Sequence, residues 1–328
     1  MPLDLIIPDL LLPDDAPEVL RNARLAHAEK WLARASSTRE AGSDSLRWVA
    51  RRHGIEGALP VAAISRLGEG AEAAGQWLRA DPVHLRVDND GLVLHDPSAL
   101  ALTLGDAHAL AGSLGAHFAQ DGLAFEVLAP ERWYVRYPGE APRTVPLPDA
   151  FGRNVFGLLP KGGGAISWAN RLTEAQMVLS SHAVNEGREP AVNSVWFWGE
   201  GALPDSLPHR YDAFYADDAF VRGVARLSGA RVEPRPARMG DVASNEAQSI
   251  LVLADSLVAP LRRGDSAAWL EAAARLDEAW FAGMGPAIAR HGTVRIILPA
   301  ERATRIATLT PSSRWRWFRP RRPVAAHA

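Results

Sequence analysis

An α/β fold built on a largely parallel sheet is what this chain predicts, and three observations carry that expectation. Beyond residue 165, β-like apolar runs alternate with helical runs in short succession, the order that parallel strands with crossover helices require. Residues 3–7, "LDLII", form an apolar run that stops at Pro8-Asp9, as a buried strand does when it enters a loop. Residues 77–137 have a different, β-rich texture, which marks a lobe set into the α/β frame.

In chain order, 17–35 and 44–55 repeat apolar residues at helical spacing, the second closed by Gly54. Two β-like runs then flank the turn signal Asp88-Asn89-Asp90-Gly91, a helix is expected over about 105–120, and 125–138 returns to the β pattern. The proline-punctuated stretch 138–154 leads out. A helix over 168–184 precedes "VNSVWFWGEG" (192–201). There Val195 and Phe197 alternate with Ser194, Trp196 and Trp198, giving bulk on both faces, as in a buried parallel strand. A strand and a helix ending at Gly229 follow in 210–234, then a strand (249–255), a long amphipathic helix (265–292) and a strand (293–299). The domains read as a core of 1–75 with 151–328, an inserted α+β lobe of 76–150, and a basic aromatic tail at 314–328.

Composition excludes several functions. With 36 basic and 38 acidic side chains among 328 residues, no global field calls for nucleic acid. Cysteine is absent, which removes disulfides, thiolate nucleophiles and cysteine metal sites together. The opening residues lack the basic n-region of a secretory signal, and no run approaches 18 apolar residues, so a cytoplasmic location without a transmembrane segment is expected. "KGGG" (161–164) lacks the phosphate-loop frame and reads as a linker; no dinucleotide fingerprint, HExxH or GxSxG elbow is present. The ten histidines are scattered, none three or four residues from another. In the tail, Arg314, Arg316, Arg319, Arg321 and Arg322 interleave with Trp315, Trp317 and Phe318. Nucleic acid or an anionic membrane would suit that combination, but the bland reading is preferred: the tryptophans cover the sheet and the arginines face water.

The segment 170–204, "NRLTEAQMVLSSHAVNEGREPAVNSVWFWGEGALP", resembles one in the archaeal-type cofactor-independent phosphoglycerate mutases. His182, Val184, Asn185, Arg188, Pro190, Asn193, Trp196, Trp198, Gly199 and Gly201 match that pattern, and Ala183 replaces a proline. More closely, the chain resembles a proteobacterial offshoot of phosphoglycerate-mutase-like, RpfE-type regulatory proteins, sharing "ADPVHLR" (80–86), "ERWYVR" (131–136) and "GRNV" (152–155). The resemblance implies an alkaline-phosphatase-like core: a mostly parallel sheet flanked by helices, with a two-metal phosphotransfer site, a serine nucleophile and Asp and His ligands. It implies Asp9 as the first ligand, although Leu10 replaces the family's glycine, and Ser43 of "AGSDS" (41–45) as the nucleophile. His182 is the remaining weak catalytic candidate.

The departures are concentrated where the other ligands belong. The sequence after 249–255 reads "ADSLVAPLRRGDS", placing Arg262 and Arg263 where cations would sit; Pro299-Ala300-Glu301 stands for the family's P-D-H; and 241–290 contains no histidine. Neither a metal nor a cofactor is therefore expected. The reading is a catalytically inactive mutase-like protein with a regulatory role, binding a phosphorylated small molecule through Arg262 and Arg263, or binding a protein partner. The alternative is a mutase or phosphotransferase of altered mechanism using Asp9, Ser43 and His182. His182, Asn185, Arg188, Asn193, Trp196, Trp198 and Gly199 are read as a structural motif in which hydrogen bonds hold a turn.

Overall fold

The computed structural model describes residues 2–13, 15–88, 91–95, 100–162, 164–242 and 249–327, apart from the side chains at 95, 165 and 327. The central pair of the expected turn, residues 89 and 90, lies outside the described residues, as does 163 within "KGGG". In chain order the strands are β1 (Pro2–Ile6), β2 (Ser36–Ala41), β3 (Trp77–Asp88), β4 (Gly91–His95), β5 (Ala124–Ala129), β6 (Arg132–Arg136), β7 (Ser194–Gly201), β8 (Ala213–Tyr215), β9 (Arg231–Glu233), β10 (Ile250–Leu253), β11 (Thr293–Leu298) and β12 (Ala303–Leu309).

Two compact units emerge, Met1–Ile55 with Ser206–Ala328, and Glu56–Asp205. The lobe thus extends beyond the expected 76–150 on both sides. The reason is strand pairing: β7 pairs antiparallel with β3, and helix Ala165–Ser180 buries Trp168, Leu172 and Leu179 in the same core as Leu78, Val195 and Phe197. The strand read as a parallel member of the main sheet is therefore an antiparallel strand of the lobe. Its burial on both faces is as expected, because helix Ala165–Ser180 and helix Val61–Glu69 both pack against it. Gly199, at a φ of 73°, lets the backbone come so near Val61 that a Cβ would sit 3.0 Å from that residue's Cβ.

In the first unit the sheet order is β2-β12-β11-β1-β10-β8-β9. Strands β11, β1, β10, β8 and β9 run parallel, whereas β12 and β2 add an antiparallel margin. Strand periodicity sends Leu3 and Leu5 to one face, where they join Trp31, Leu32, Trp269 and Ile288 in one core. Asp4 faces the other way, fully buried; Arg295 donates to its carboxylate at 2.5 and 2.6 Å and Tyr211 at 2.6 Å. Asp4 and Arg295 are register partners across β1 and β11, so this pair fixes the centre of the sheet.

The long helix expected over 265–292 is interrupted. It runs Ser266–Leu276, loosens to a wider turn over Asp277–Phe281 and restarts at Met284–His291. Gly283 packs against Met239 and Pro286 lies in the first turn of the last segment, where the missing N–H of proline is tolerated. Asp277 accepts from the backbone N–H groups of His27 and Ala28 at 3.0 and 2.7 Å, capping helix Ala26–Arg34. The expected helix 17–35 is accordingly two pieces, Glu18–Arg21 and Ala26–Arg34.

Candidate functional site at the carboxyl edge of the sheet

Five parallel strands end at one edge, and open α/β sheets take their ligands outside the carboxyl ends of such strands. Four of the five exit loops place charged side chains there: Asp9 after β1, Asp217 and Asp218 after β8, Arg235 after β9 and Asp255 after β10. Asp9 takes a φ of 59°, a left-handed conformation that Asp tolerates better than most residues. Burial raises its pKa above the ordinary carboxylate value, and the nearby positive charge of Arg262 opposes that rise. Asp255 is raised in the same way by burial, with Arg235 opposing and Asp218 and Asp217 adding to it. The Arg235 guanidinium bridges two of these loops, 3.3 Å from Asp217 and 3.6 Å from Asp255. Asp218 is committed to the cap of helix Ala219–Leu227, accepting from the Val221 N–H at 2.9 Å.

Ser43 reaches the same edge from the other side of the sheet. It lies between β2 and helix Ser45–Arg52, and its N–H donates to the Ala300 carbonyl just past β11 at 3.1 Å. Strand β11 neighbours β1, one lateral spacing of about 4.8 Å. The Ser43 side chain is buried and its hydroxyl shares a 3.1 Å hydrogen bond with that of Thr304. A neutral hydroxyl is no base, so this contact does not activate Ser43 as a nucleophile. Arg262 and Arg263 end the short helix after β10, both exposed.

The two cations that the resemblance implies do not fit these donors. Asp217 and Asp255 are engaged by Arg235, Asp9 faces the charge of Arg262, and residues 241–290 offer no imidazole. Among the described residues no group of three or more His, Asp or Glu side chains is arranged to hold an ion.

His182 belongs to the lobe. Its Nδ1 accepts the Val184 N–H at 3.1 Å and its Nε2 lies 3.1 Å from the Ser113 hydroxyl. Asn185 bonds Leu179, and both the N–H and the carbonyl of Val192, each at 2.8 Å; Asn193 holds the Leu85 backbone at 2.7 and 2.8 Å. Arg188 donates to the Leu100 carbonyl and to Asp106, each at 2.8 Å. The Trp196 indole donates to the Val145 carbonyl at 2.8 Å, and that of Trp198 to the buried Asp81 at 2.7 Å. Every polar member of the motif is thus consumed inside the lobe. Sequence reasoning passed over Asp217, Arg235 and Asp255, each two residues beyond a strand end; the shared endings "FYAD" and "LVLAD" are the signal that would have found the two aspartates.

The tail reverses its expectation. Trp315, Trp317 and Phe318 are 75%, 72% and 71% exposed, so they do not cover the sheet. Instead Arg316 and Arg319 dock on the carbonyls of Arg34 and Ala35 at 3.2 and 3.0 Å, at the electronegative end of helix Ala26–Arg34. No helix among the described residues is long and apolar enough to cross a membrane.

No family model matches the sequence. A probable 2,3-bisphosphoglycerate-independent phosphoglycerate mutase from Geobacter sulfurreducens is 26% identical over 194 residues, 54% of this chain and 45% of that protein. The 2,3-bisphosphoglycerate-independent phosphoglycerate mutase of Methanosarcina barkeri is 30% identical over 99 residues, 29% of this chain and 24% of the relative. The chain thus spans less than half the length of the curated relatives it matches. Among solved structures, the cofactor-independent phosphoglycerate mutase from Thermoplasma acidophilum aligns over 94% of this chain and 90% of its own, at 18% identity and a TM-score of 0.44. The PH0037 protein from Pyrococcus horikoshii aligns over 94% and 87%, at 15% identity and a TM-score of 0.55. The chain is similar in sequence to cofactor-independent phosphoglycerate mutases and has an α/β fold of the alkaline-phosphatase-like kind.

Proposed function

We propose that this chain is a phosphoglycerate-mutase-like protein without metal-dependent turnover, in which the carboxyl edge of the sheet binds a phosphorylated small molecule in a regulatory role of the RpfE type. One observation carries the reading: guanidinium groups stand where divalent cations would neutralise the carboxylates, Arg262 acting on Asp9 and Arg235 on Asp217 and Asp255. Arg262 and Arg263 are exposed beside that edge, and a guanidinium recognises phosphate by paired, charge-assisted hydrogen bonds. The mutase of altered mechanism stands as the alternative. It requires a base for Ser43, whose hydroxyl partner is Thr304, and the His182 ring it would draw on is held by Val184 and Ser113.

Calorimetric titration of the purified chain tests this. With Mn²⁺ or Zn²⁺ we expect no tight stoichiometric binding and no conversion of 3-phosphoglycerate. With 3-phosphoglycerate alone we expect binding that Arg262→Ala weakens by about tenfold, a charge-assisted pair being worth roughly 1.5–3 kcal/mol. Metal-dependent turnover lost in Ser43→Ala would establish the alternative instead.

A further inference from the structure

Sequence and backbone together hold Arg235 in place at the carboxyl edge. It stands in the run Pro234-Arg235-Pro236, just past the end of β9. The first proline has a fixed φ and the second disfavours the helical region for the residue before it, so the chain is restricted on both sides of the arginine. The Ala216 N–H donates to the Glu233 carbonyl at 3.2 Å, which ties the exit of β8 to the end of β9. Arg235 then takes both oxygens of Asp217, its backbone N–H donating to one and its Nε to the other, each at 3.3 Å. The same Nε lies 3.6 Å from the Asp255 carboxylate.

The two carboxylates are brought together by the sheet. Asp217 and Asp255 each follow a strand by two residues, and those strands, β8 and β10, are parallel neighbours, about 4.8 Å apart. Like charges at that spacing disfavour ionisation. Burial first, and then the charges of Asp218 and Asp217, raise the Asp255 pKa, while Arg235 opposes the rise. The side chains of Asp255 and Asp217 are 34% and 57% exposed, within reach of ions in solution.

We infer that Arg235 is a tethered counter-ion: its guanidinium fills the position in which a hard divalent cation would bridge Asp217 and Asp255, and deleting it makes this edge dependent on such a cation. The inference rests on the proposed reading of the edge as one without metal-dependent turnover and names the group that enforces it. A guanidinium suits the task because it is delocalised, weakly hydrated and able to serve more than one carboxylate. Held by the flanking prolines, it is ordered before it meets its partners. Two carboxylates with water and backbone oxygens are the donors that magnesium or calcium accepts.

Thermal unfolding of the full chain in EDTA and in calcium chloride tests the inference. The wild-type midpoint should be the same in both. Arg235→Ala should lower the midpoint in EDTA by about 3 °C, through the repulsion it leaves between Asp217 and Asp255. Calcium at about 10 mM, above the millimolar dissociation constants of weak oxygen-donor sites, should restore it, and sodium chloride of equal ionic strength, which only screens, should not. Arg235→Gln, which keeps a hydrogen-bond donor without the charge, carries the same comparison if Arg235→Ala does not fold in EDTA. In the double variant Arg235→Ala, Asp255→Asn the calcium response should disappear. The inference is overturned by a calcium response in the wild type, by a variant midpoint that calcium raises no more than sodium does, or by a rescue that persists in the double variant. Failure of the wild-type chain to bind 3-phosphoglycerate would instead overturn the proposed function and leave the counter-ion standing.

Discussion

Asp9 shows what the carboxyl edge does to a single residue. Its side chain is half-buried, desolvation raises its pKa with Arg262 opposing that rise, and its backbone is left-handed. A folded-state pKa raised above the unfolded value means the ionised form is disfavoured by folding, so the contribution of this group is lost as pH rises through the folded pKa. Asp9→Asn removes the charge and keeps a side chain suited to positive φ. We expect it to raise stability at neutral pH by about 1 kcal/mol, read as a higher thermal midpoint; a lowered midpoint would mean that the Arg262 attraction outweighs the burial cost. His53 gives the opposite sign. Its Nδ1–H donates to the Val49 carbonyl at 2.8 Å, its ring packs against Tyr211 and Phe214, and burial first, then Arg210 and Arg52, lower its pKa. The unfolded chain therefore takes up this proton first as pH falls below about 6.5, and stability declines from there toward the lowered folded pKa. Denaturant melts between pH 7 and 5 should show a shallower pH slope in His53→Gln; an unchanged slope would assign the acid sensitivity to another group.

At the scale of elements, the sequence declares what is periodic or apolar and hides what is neither. Strands β10 and β11 fall within the runs 249–255 and 293–299 and β1 overlaps the run 3–7, because each is mainly apolar, the paired Asp4 and Arg295 apart. Strand β2, "SSTREA", is exposed at every position; nothing in its composition calls for a strand, and only its ladder with β12 makes one. The strand β7 was legible as buried on both faces, but not its direction, since a residue pattern gives the face and not the partner. Gly42 joins β2 to the Ser43 turn, and a Cβ on it would overlap the carbonyl oxygen of Glu301. Gly42→Ala is expected to cost about 1–3 kcal/mol by overpacking and to displace Ser43 from Ala300, measured as a drop in denaturation midpoint. If Gly42→Ala is neutral, that close approach does not hold Ser43 at this edge.

For the whole molecule, the topology dissociates sequence distance from structural unity. The first unit draws its central strands from both ends of the chain, β1 lying between β10 and β11, and its core mixes Leu5 with Val252 and Ile296. That assembly was legible only in part. Alternating strands and helices announced a parallel sheet, yet the boundaries at Ile55 and Asp205 follow from the pairing of β7 with β3, and the aspartates and arginine of the site come together only once β8, β9 and β10 are adjacent. The unit assignment has a direct consequence for local opening. Leu5→Ala deletes a fully buried side chain from β1, a change that typically costs about 2–5 kcal/mol. Hydrogen exchange should then accelerate together in peptides covering 36–52, 249–255 and 293–309, hundreds of residues apart in part, because they share one sheet and core and so open as one cooperative unit. Val83→Ala in β3 should accelerate β7 in the same way, through the pairing of Val83 with Ser194. Exchange in which 249–255 responds to Leu5→Ala while 293–309 keeps its original rate would separate β10 from β11 and refute the single sheet on which the candidate site is built.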